Sequence, residues 1–176
     1  MTDTSCIDGR HVVLVGMMGV GKSTVGRLLA KRLDRELIDS DRMIEYRTGR
    51  TVRDIFEADG EDAFRRLETE ALLAGLGRSE PAVIAAAGGV VLREENRTAL
   101  NDDASYVVWL SAPVDVLTQR VVNGAHRPLL DEDPHAALGR LDAVREPLYR
   151  EVADGIVSVG LRSPNDVVQA VMRCCG

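Results

Sequence analysis

One run of nine residues restricts this chain more than any other: Gly16-Met17-Met18-Gly19-Val20-Gly21-Lys22-Ser23-Thr24. It fits G-x-x-x-x-G-K-[ST], a phosphate-binding loop. His11-Val12-Val13-Leu14-Val15 before it reads as a short buried strand. The stretch from Thr24 to Leu33 after it reads as an amphipathic helix, with Val25, Leu28, Leu29 and Leu33 at helical spacing. Glycines in such a junction let successive backbone N–H groups turn inward around an anion, and the new helix aims its positive dipole end at the same anion. In that layout Lys22 reaches the β- and γ-phosphates and the Ser23 hydroxyl ligates Mg²⁺. Gly19, Val20, Gly21, Lys22, Ser23 and Thr24 are therefore expected to hold a nucleoside triphosphate. A glycine-rich turn with a chance Lys-Ser would not need a strand and a helix in register on its two sides.

A length of 176 residues suits one domain with a real core. The net charge of −6 gives no support to a nucleic-acid partner, since a polyanion binder is more often basic. Among 22 basic residues only Lys22 and Lys31 are lysines, and Lys22 sits where a compact point charge suits phosphate. Cys6, Cys174 and Cys175 match neither a zinc spacing nor a C-x-x-C redox motif, so reduced thiols are expected. The N-terminus, with Asp3 and Asp8, lacks the apolar segment of a secretory signal, and no stretch approaches the ~18 apolar residues of a membrane span. A soluble, cytoplasmic protein without membrane contact is the expectation.

Short apolar runs alternate with helical ones. Strands are predicted over 12–15, 36–38, 82–87, 106–110 and 156–159. Helices are predicted over 22–33, 41–48, 51–59, 61–76, 94–100, 114–123, 135–151 and 164–174. Runs such as Val83-Ile84-Ala85-Ala86-Ala87 are apolar throughout, which suits a parallel sheet covered on both faces. Gly49 followed by Thr51-x-x-Asp54 reads as a helix stop and then a capping box. Pro113 and Ser163-Pro164 read as helix starts. One α/β domain over 1–176 follows, with its ligand site at the carboxyl ends of the strands.

A small GTPase would carry an Asn-Lys-x-Asp base-reading motif, which the chain lacks, and a transporter ATPase or helicase would be longer. A small kinase remains. Leu37-Ile38-Asp39-Ser40-Asp41 ends the second strand with two carboxylates. At i and i+2 of an extended chain both would face the phosphate site, one holding water on Mg²⁺ and the other orienting an acceptor hydroxyl and taking its proton. The bland alternative is that Asp41 caps the helix beginning at Met43-Ile44. Phe64-Arg65-Arg66-Leu67-Glu68 lies on a helix, where arginine pairs are usually solvated. Ala87-Gly88-Gly89-Val90 either brings bare backbone to a ligand or is an ordinary strand-end turn. Gly124-Ala125-His126-Arg127-Pro128-Leu129-Leu130 is either a loop that closes Arg127 over the phosphates or plain surface.

Taken in order, the P-loop, Asp-x-Asp, Asp-Gly-Glu-x-x-Phe-Arg-Arg-x-Glu, the glycine pair, Arg-Pro-Leu-Leu and Arg-x-Pro-Leu-Tyr resemble the shikimate kinase family over about residues 11–164. The resemblance implies a P-loop α/β domain of the nucleoside-monophosphate-kinase type. Such a domain has a five-stranded parallel sheet flanked by helices, a core over about 11–174, acceptor-binding helices over about 41–76 and a mobile lid over about 121–133. It implies ATP-dependent phosphorylation of the 3-hydroxyl of shikimate, in chorismate and aromatic amino-acid biosynthesis, with Mg²⁺ accompanying ATP. Asp41 would bind the ring hydroxyls and act as base, and Asp39 would hold the Mg²⁺ water shell. Arg65 and Arg145 would grip the shikimate carboxylate beside the Gly88 and Gly89 backbone. Arg127 would sit on the transferring phosphate, and Arg120, Arg162 and Pro164 would flank the adenine. A monomer is expected.

The sequence departs from that pattern where Ala87 replaces the first of three glycines, and its methyl is expected to crowd the turn or narrow the pocket. Ala85-Ala86-Ala87 also offers no polar side chain to the Mg²⁺ shell, leaving that task to Asp39. Another small-metabolite kinase of the same fold, such as a gluconate kinase, also accepts an anion. A nucleoside-monophosphate kinase would need more aromatic side chains for a second base, and a non-catalytic P-loop binding module would not need Lys22, Asp41 and Arg127 together.

Overall fold

The computed structural model describes residues 7–122 and 133–175. Its centre is a five-stranded, wholly parallel sheet in the order β2-β3-β1-β4-β5, built from β1 (His11–Val15), β2 (Leu37–Asp39), β3 (Val83–Ala85), β4 (Ser105–Ser111) and β5 (Gly155–Ser158). β1 lies in the middle, with Val13 opposite Ile84 on one side and Val107 on the other. All five of its residues are buried, and the aliphatic run Val12-Val13-Leu14-Val15 suits a strand covered on both faces. β5, at the edge, instead alternates, burying Val157 and exposing Ile156 and Ser158.

The helices are α1 (Lys22–Leu33), α2 (Ser40–Thr48), α3 (Val52–Leu76), α4 (Glu94–Leu100), α5 (Val114–Val122), α6 (Pro134–Val152) and α7 (Pro164–Cys174). Their ends follow local chemistry. Gly49 closes α2 in the left-handed region at φ 65°, and Thr51 opens α3 with the expected capping box, its hydroxyl accepting from the Asp54 N–H. Asp133 and Ser163 cap α6 and α7, each followed by proline in the first turn. The helices predicted over 51–59 and 61–76 both form, joined within Val52–Leu76 by a kink at Gly60, whose φ of 84° and ψ of 173° are non-helical. That backbone is open almost only to glycine, so the rod turns there.

Two cores result. The main one surrounds the sheet and takes in Leu14, Leu29, Leu110, Leu138, Val171 and the buried Cys175. A smaller one, Ile44, Ile55, Phe64 and Ala71, ties α2 to α3, within the stretch expected to bind the acceptor. Most boundaries shift by a residue or two, and two of the shifts bear on the site. The third strand ends at Ala85 rather than residue 87, because from Ala86 the backbone leaves the ladder for the turn at Gly88-Gly89. α2 begins at Ser40, immediately after Asp39. No described helix is long and apolar enough to cross a membrane.

Candidate active site

The loop from Gly16 to Gly21 leaves β1 and enters α1 at the carboxyl ends of the strands. A Cβ on Gly16 (φ 143°) would lie 2.4 Å from the Leu110 carbonyl oxygen, so only glycine lets the chain turn beside β4. Gly21 is the residue that opens α1, and no side chain caps the helix there. The first N–H groups of α1 therefore face a pocket of about 680 Å³, partly open to solvent, walled by Gly19, Gly21, Lys22, Ser23, Thr24, Asp39, Asp41 and Arg120. Lys22 Nζ donates to the carbonyls of Gly16 (2.7 Å) and Met17 (3.0 Å), which arches the side chain over the loop. Arg120 joins two segments at the pocket's edge, donating to the carbonyls of Val20 (3.2 Å) and Gly160 (3.1 Å). Val20, within the loop, is itself buried. Gly160 brings the 159–164 turn to Arg120, although Arg162 and Pro164 do not line the pocket.

A second pocket, about 450 Å³ and also partly open, adjoins the first. Met18, Asp41 and Gly88 line both, and Asp41 is the carboxylate at the junction. Its further walls are Val52, Phe56, Phe64, Arg65, Glu68, Gly89 and Arg145. Both phenylalanines of the chain are here, their rings 4.9 Å apart, and each lies 5.8 Å from the Arg65 guanidinium carbon. Arg65 is only 7% exposed and Arg145 2%, unusual for arginine unless something requires their charge in place. They sit 80 residues apart in sequence, on α3 and α6, and converge on one cavity.

Glu68, 2% exposed, accounts for the position of Arg65, which donates to it through Nη1 at 2.7 Å and to Glu61 through Nη2 at 2.7 Å. Burial works against the charge on both partners. For Arg65 it is outweighed by Glu68 and Glu61, and the guanidinium stays cationic with its pKa raised. For Glu68 it prevails over the pull of Arg65, and the nearby Asp41 adds to the rise, so the carboxyl titrates above the ordinary range. Two of the five Arg65 N–H groups serve these carboxylates; Nε is buried without a hydrogen-bond partner. The glycine at 89 is compulsory for this packing, because a Cβ there would stand 1.9 Å from Arg65 Nη1.

The two aspartates reach the site differently from expectation. Only Asp39 is extended, and it is Asp39, not Asp41, that caps α2, accepting from the Arg42 N–H at 3.3 Å. Asp41 stands in the first turn of α2, so a helical turn rather than strand alternation brings both carboxylates into the phosphate pocket. Ala87 is buried and lines neither pocket, so its methyl does not narrow the acceptor site. Arg127 and most of the 121–133 lid lie outside the described residues. Sequence reasoning assigned no role to Glu68, Phe56 or Phe64. The spacing of Glu61, Arg65 and Glu68 on one helical face was a readable signal for the ion-pair cluster.

For Mg²⁺ the donor set fits a phosphate-bound ion. Ser23 and Asp39 supply oxygens to one pocket, and no cluster of three or more metal-binding side chains occurs among the described residues. Mg²⁺ is typically held by one or two protein oxygens plus substrate phosphates and water.

Comparison with known proteins agrees with this geometry. The family model for shikimate kinase matches residues 18–175. A shikimate kinase of Symbiobacterium thermophilum is 47% identical over 166 residues, covering 93% of this chain and 94% of the relative. The structure of a shikimate kinase from Acinetobacter baumannii in complex with shikimate superposes with a TM-score of 0.90 at 39% identity, covering 97% of this chain and 96% of that one. A gluconokinase from Sinorhizobium meliloti covers 95% of this chain at a TM-score of 0.57 and 18% identity, a likeness of fold alone.

Proposed function

The chain belongs to the shikimate kinase family, an ATP-dependent phosphotransferase acting on a hydroxyl group, and from that premise we propose how its own residues divide the work. The observation that carries the reading is the pair of buried arginines, Arg65 and Arg145, lining one cavity together with Asp41 and with Met18 of the P-loop. Glu68 and Glu61 hold Arg65 in place, and two planar guanidinium forks lining one cavity suit an incoming carboxylate. Shikimate placed with its carboxylate on Arg65, Arg145 and the Gly88-Gly89 backbone points its ring hydroxyls toward Asp41. The Phe56 and Phe64 rings supply an apolar wall for its carbon face.

Asp41 then orients the 3-hydroxyl and accepts its proton as oxygen attacks the γ-phosphorus. The P-loop N–H groups, Lys22 and Thr24 hold the triphosphate, and Arg120, Arg162 and Pro164 border the adenine. Arg127 is assigned to the transferring phosphoryl group on the sequence resemblance alone. Ser23 and Asp39 would hold Mg²⁺, which neutralises charge on the β- and γ-oxygens when bound. The protein's contribution is positioning and charge neutralisation. The products are ADP and shikimate 3-phosphate. The deciding assay is ADP release by the purified chain with shikimate or gluconate as acceptor. Release with shikimate and little with gluconate supports the reading; equal or preferential use of gluconate overturns it.

A further inference from the structure

Tyr149 has no part in the roles assigned above, yet it is fully buried and one helical turn beyond Arg145 on α6. Its hydroxyl donates to the Gly88 carbonyl at 2.5 Å, across 61 residues of sequence. The Arg145 guanidinium lies close enough to the same oxygen for its charge and hydrogen-bonding capacity to oppose the effect of burial on the phenol. Gly88 and Arg145 are themselves neighbours, since a Cβ on Gly88 would lie 3.6 Å from Arg145 Nη1. One hydroxyl thus touches two groups of the acceptor pocket from outside it. Its ring is fixed as well, stacked on Trp109 with centroids 5.9 Å apart and 24° between planes.

The chemistry of a phenol makes this arrangement directional. With one proton and two lone pairs, a hydroxyl that donates to Gly88 has only acceptor capacity left for Arg145. Burial, opposed by Arg145, raises the pKa of its hydroxyl above the ordinary tyrosine value, so it stays protonated. The Gly88 carbonyl shares a planar trans peptide with the Gly89 N–H, and drawing the carbonyl toward Tyr149 aims that N–H the opposite way.

We propose that Tyr149 is a positioning residue for acceptor recognition: its hydroxyl locks the Arg145 guanidinium and the Gly88–Gly89 peptide into the geometry that receives the shikimate carboxylate. This rests on the reading that Arg145, Gly88 and Gly89 hold that carboxylate. A purely structural tyrosine would fill the same space and satisfy the same bonds, but removing its hydroxyl would affect stability without selecting among substrates.

Steady-state kinetics separate the two. They are run on the parent, Tyr149→Phe and Arg145→Lys, with shikimate and with an analogue whose carboxylate is replaced by hydroxymethyl, alongside KM for ATP and thermal melting. Tyr149→Phe is expected to raise KM for shikimate about three- to tenfold, the scale of one net hydrogen bond. The change in kcat is expected to be smaller, and KM for ATP and for the neutral analogue to hold. A lower melting temperature with unchanged shikimate KM, or an equal loss with both acceptors, overturns the proposal. If Arg145→Lys leaves shikimate KM unchanged, the carboxylate reading fails first and this inference falls with it. Should Tyr149→Phe not fold, Tyr149→4-aminophenylalanine keeps a donor for Gly88 and offers Arg145 a poor acceptor. It is expected to raise shikimate KM selectively, and a parent-like value contradicts the proposal.

Discussion

At the scale of single residues, Lys22 and Asp41 carry the sharpest expectations. Lys22 is positioned by the Gly16 and Met17 carbonyls at the mouth of the phosphate pocket. Lys22→Ala should lower kcat by on the order of 10²–10³, the scale of one preorganised charge donor; near-normal turnover would make the loop merely architectural. Asp41→Asn keeps the shape of a side chain that lines both pockets and removes its basicity. It should lower kcat by roughly 10²–10⁴ with ATP affinity intact. Because Asp39 is the residue that caps α2, Asp41→Asn should leave the melting temperature close to the parent's, and a large fall there would point to a structural role. Arg65 shows where sequence reading runs short. The motif revealed the arginine, but its seat depends on Glu68, on two phenylalanine rings and on a glycine 24 residues further along the chain.

At the scale of elements, α3 is the piece whose local chemistry matters most. The turn at Gly60 lets Val52 and Phe56 on one segment, and Phe64, Arg65 and Glu68 on the next, face the same pocket. There is open space for a methyl at Gly60, so Gly60→Ala tests backbone conformation rather than crowding. It should destabilise the protein by about 1–3 kcal/mol in chemical unfolding, the cost of forcing a side chain into that region. It should also raise KM for shikimate more than KM for ATP. Unchanged stability would mean the rod does not need the turn. The capping box at the start of α3 adds a pH dependence. Bonds from Thr51 hold the Asp54 pKa below the usual aspartate value. Such a group stabilises the fold above its unfolded pKa of about 3.9, and that contribution is lost as pH falls through the lower folded value. The drop in melting temperature on acidification below about pH 4 should therefore be smaller in Asp54→Asn than in the parent. Identical acid limbs would show that the cap does not report on stability.

At the scale of the whole molecule, the strand runs, the helix ends and the P-loop were legible because each depends on neighbours in sequence. Examples are the glycines before Lys22, Thr51 before Asp54, and Pro164 after Ser163. The acceptor pocket was legible only as a family resemblance, since its walls come from α2, α3, the turn after β3, and α6. The early end of β3 and the shift of capping from Asp41 to Asp39 escaped the sequence for a related reason. Both turn on where one strand stops pairing with its neighbour, which apolar periodicity does not encode. As proposed, two buried arginines on separate helices together hold one substrate carboxylate. The most direct test is kcat/KM in the ADP-release assay for the parent, Arg65→Lys and Arg145→Lys, with shikimate and with the carboxylate-free analogue. Lysine keeps the charge and loses the fork, so each variant should lose about ten- to a hundredfold toward shikimate, while the already poor analogue loses little more. Equal losses for both acceptors would contradict the account, because the two arginines would then be holding the fold and not the substrate.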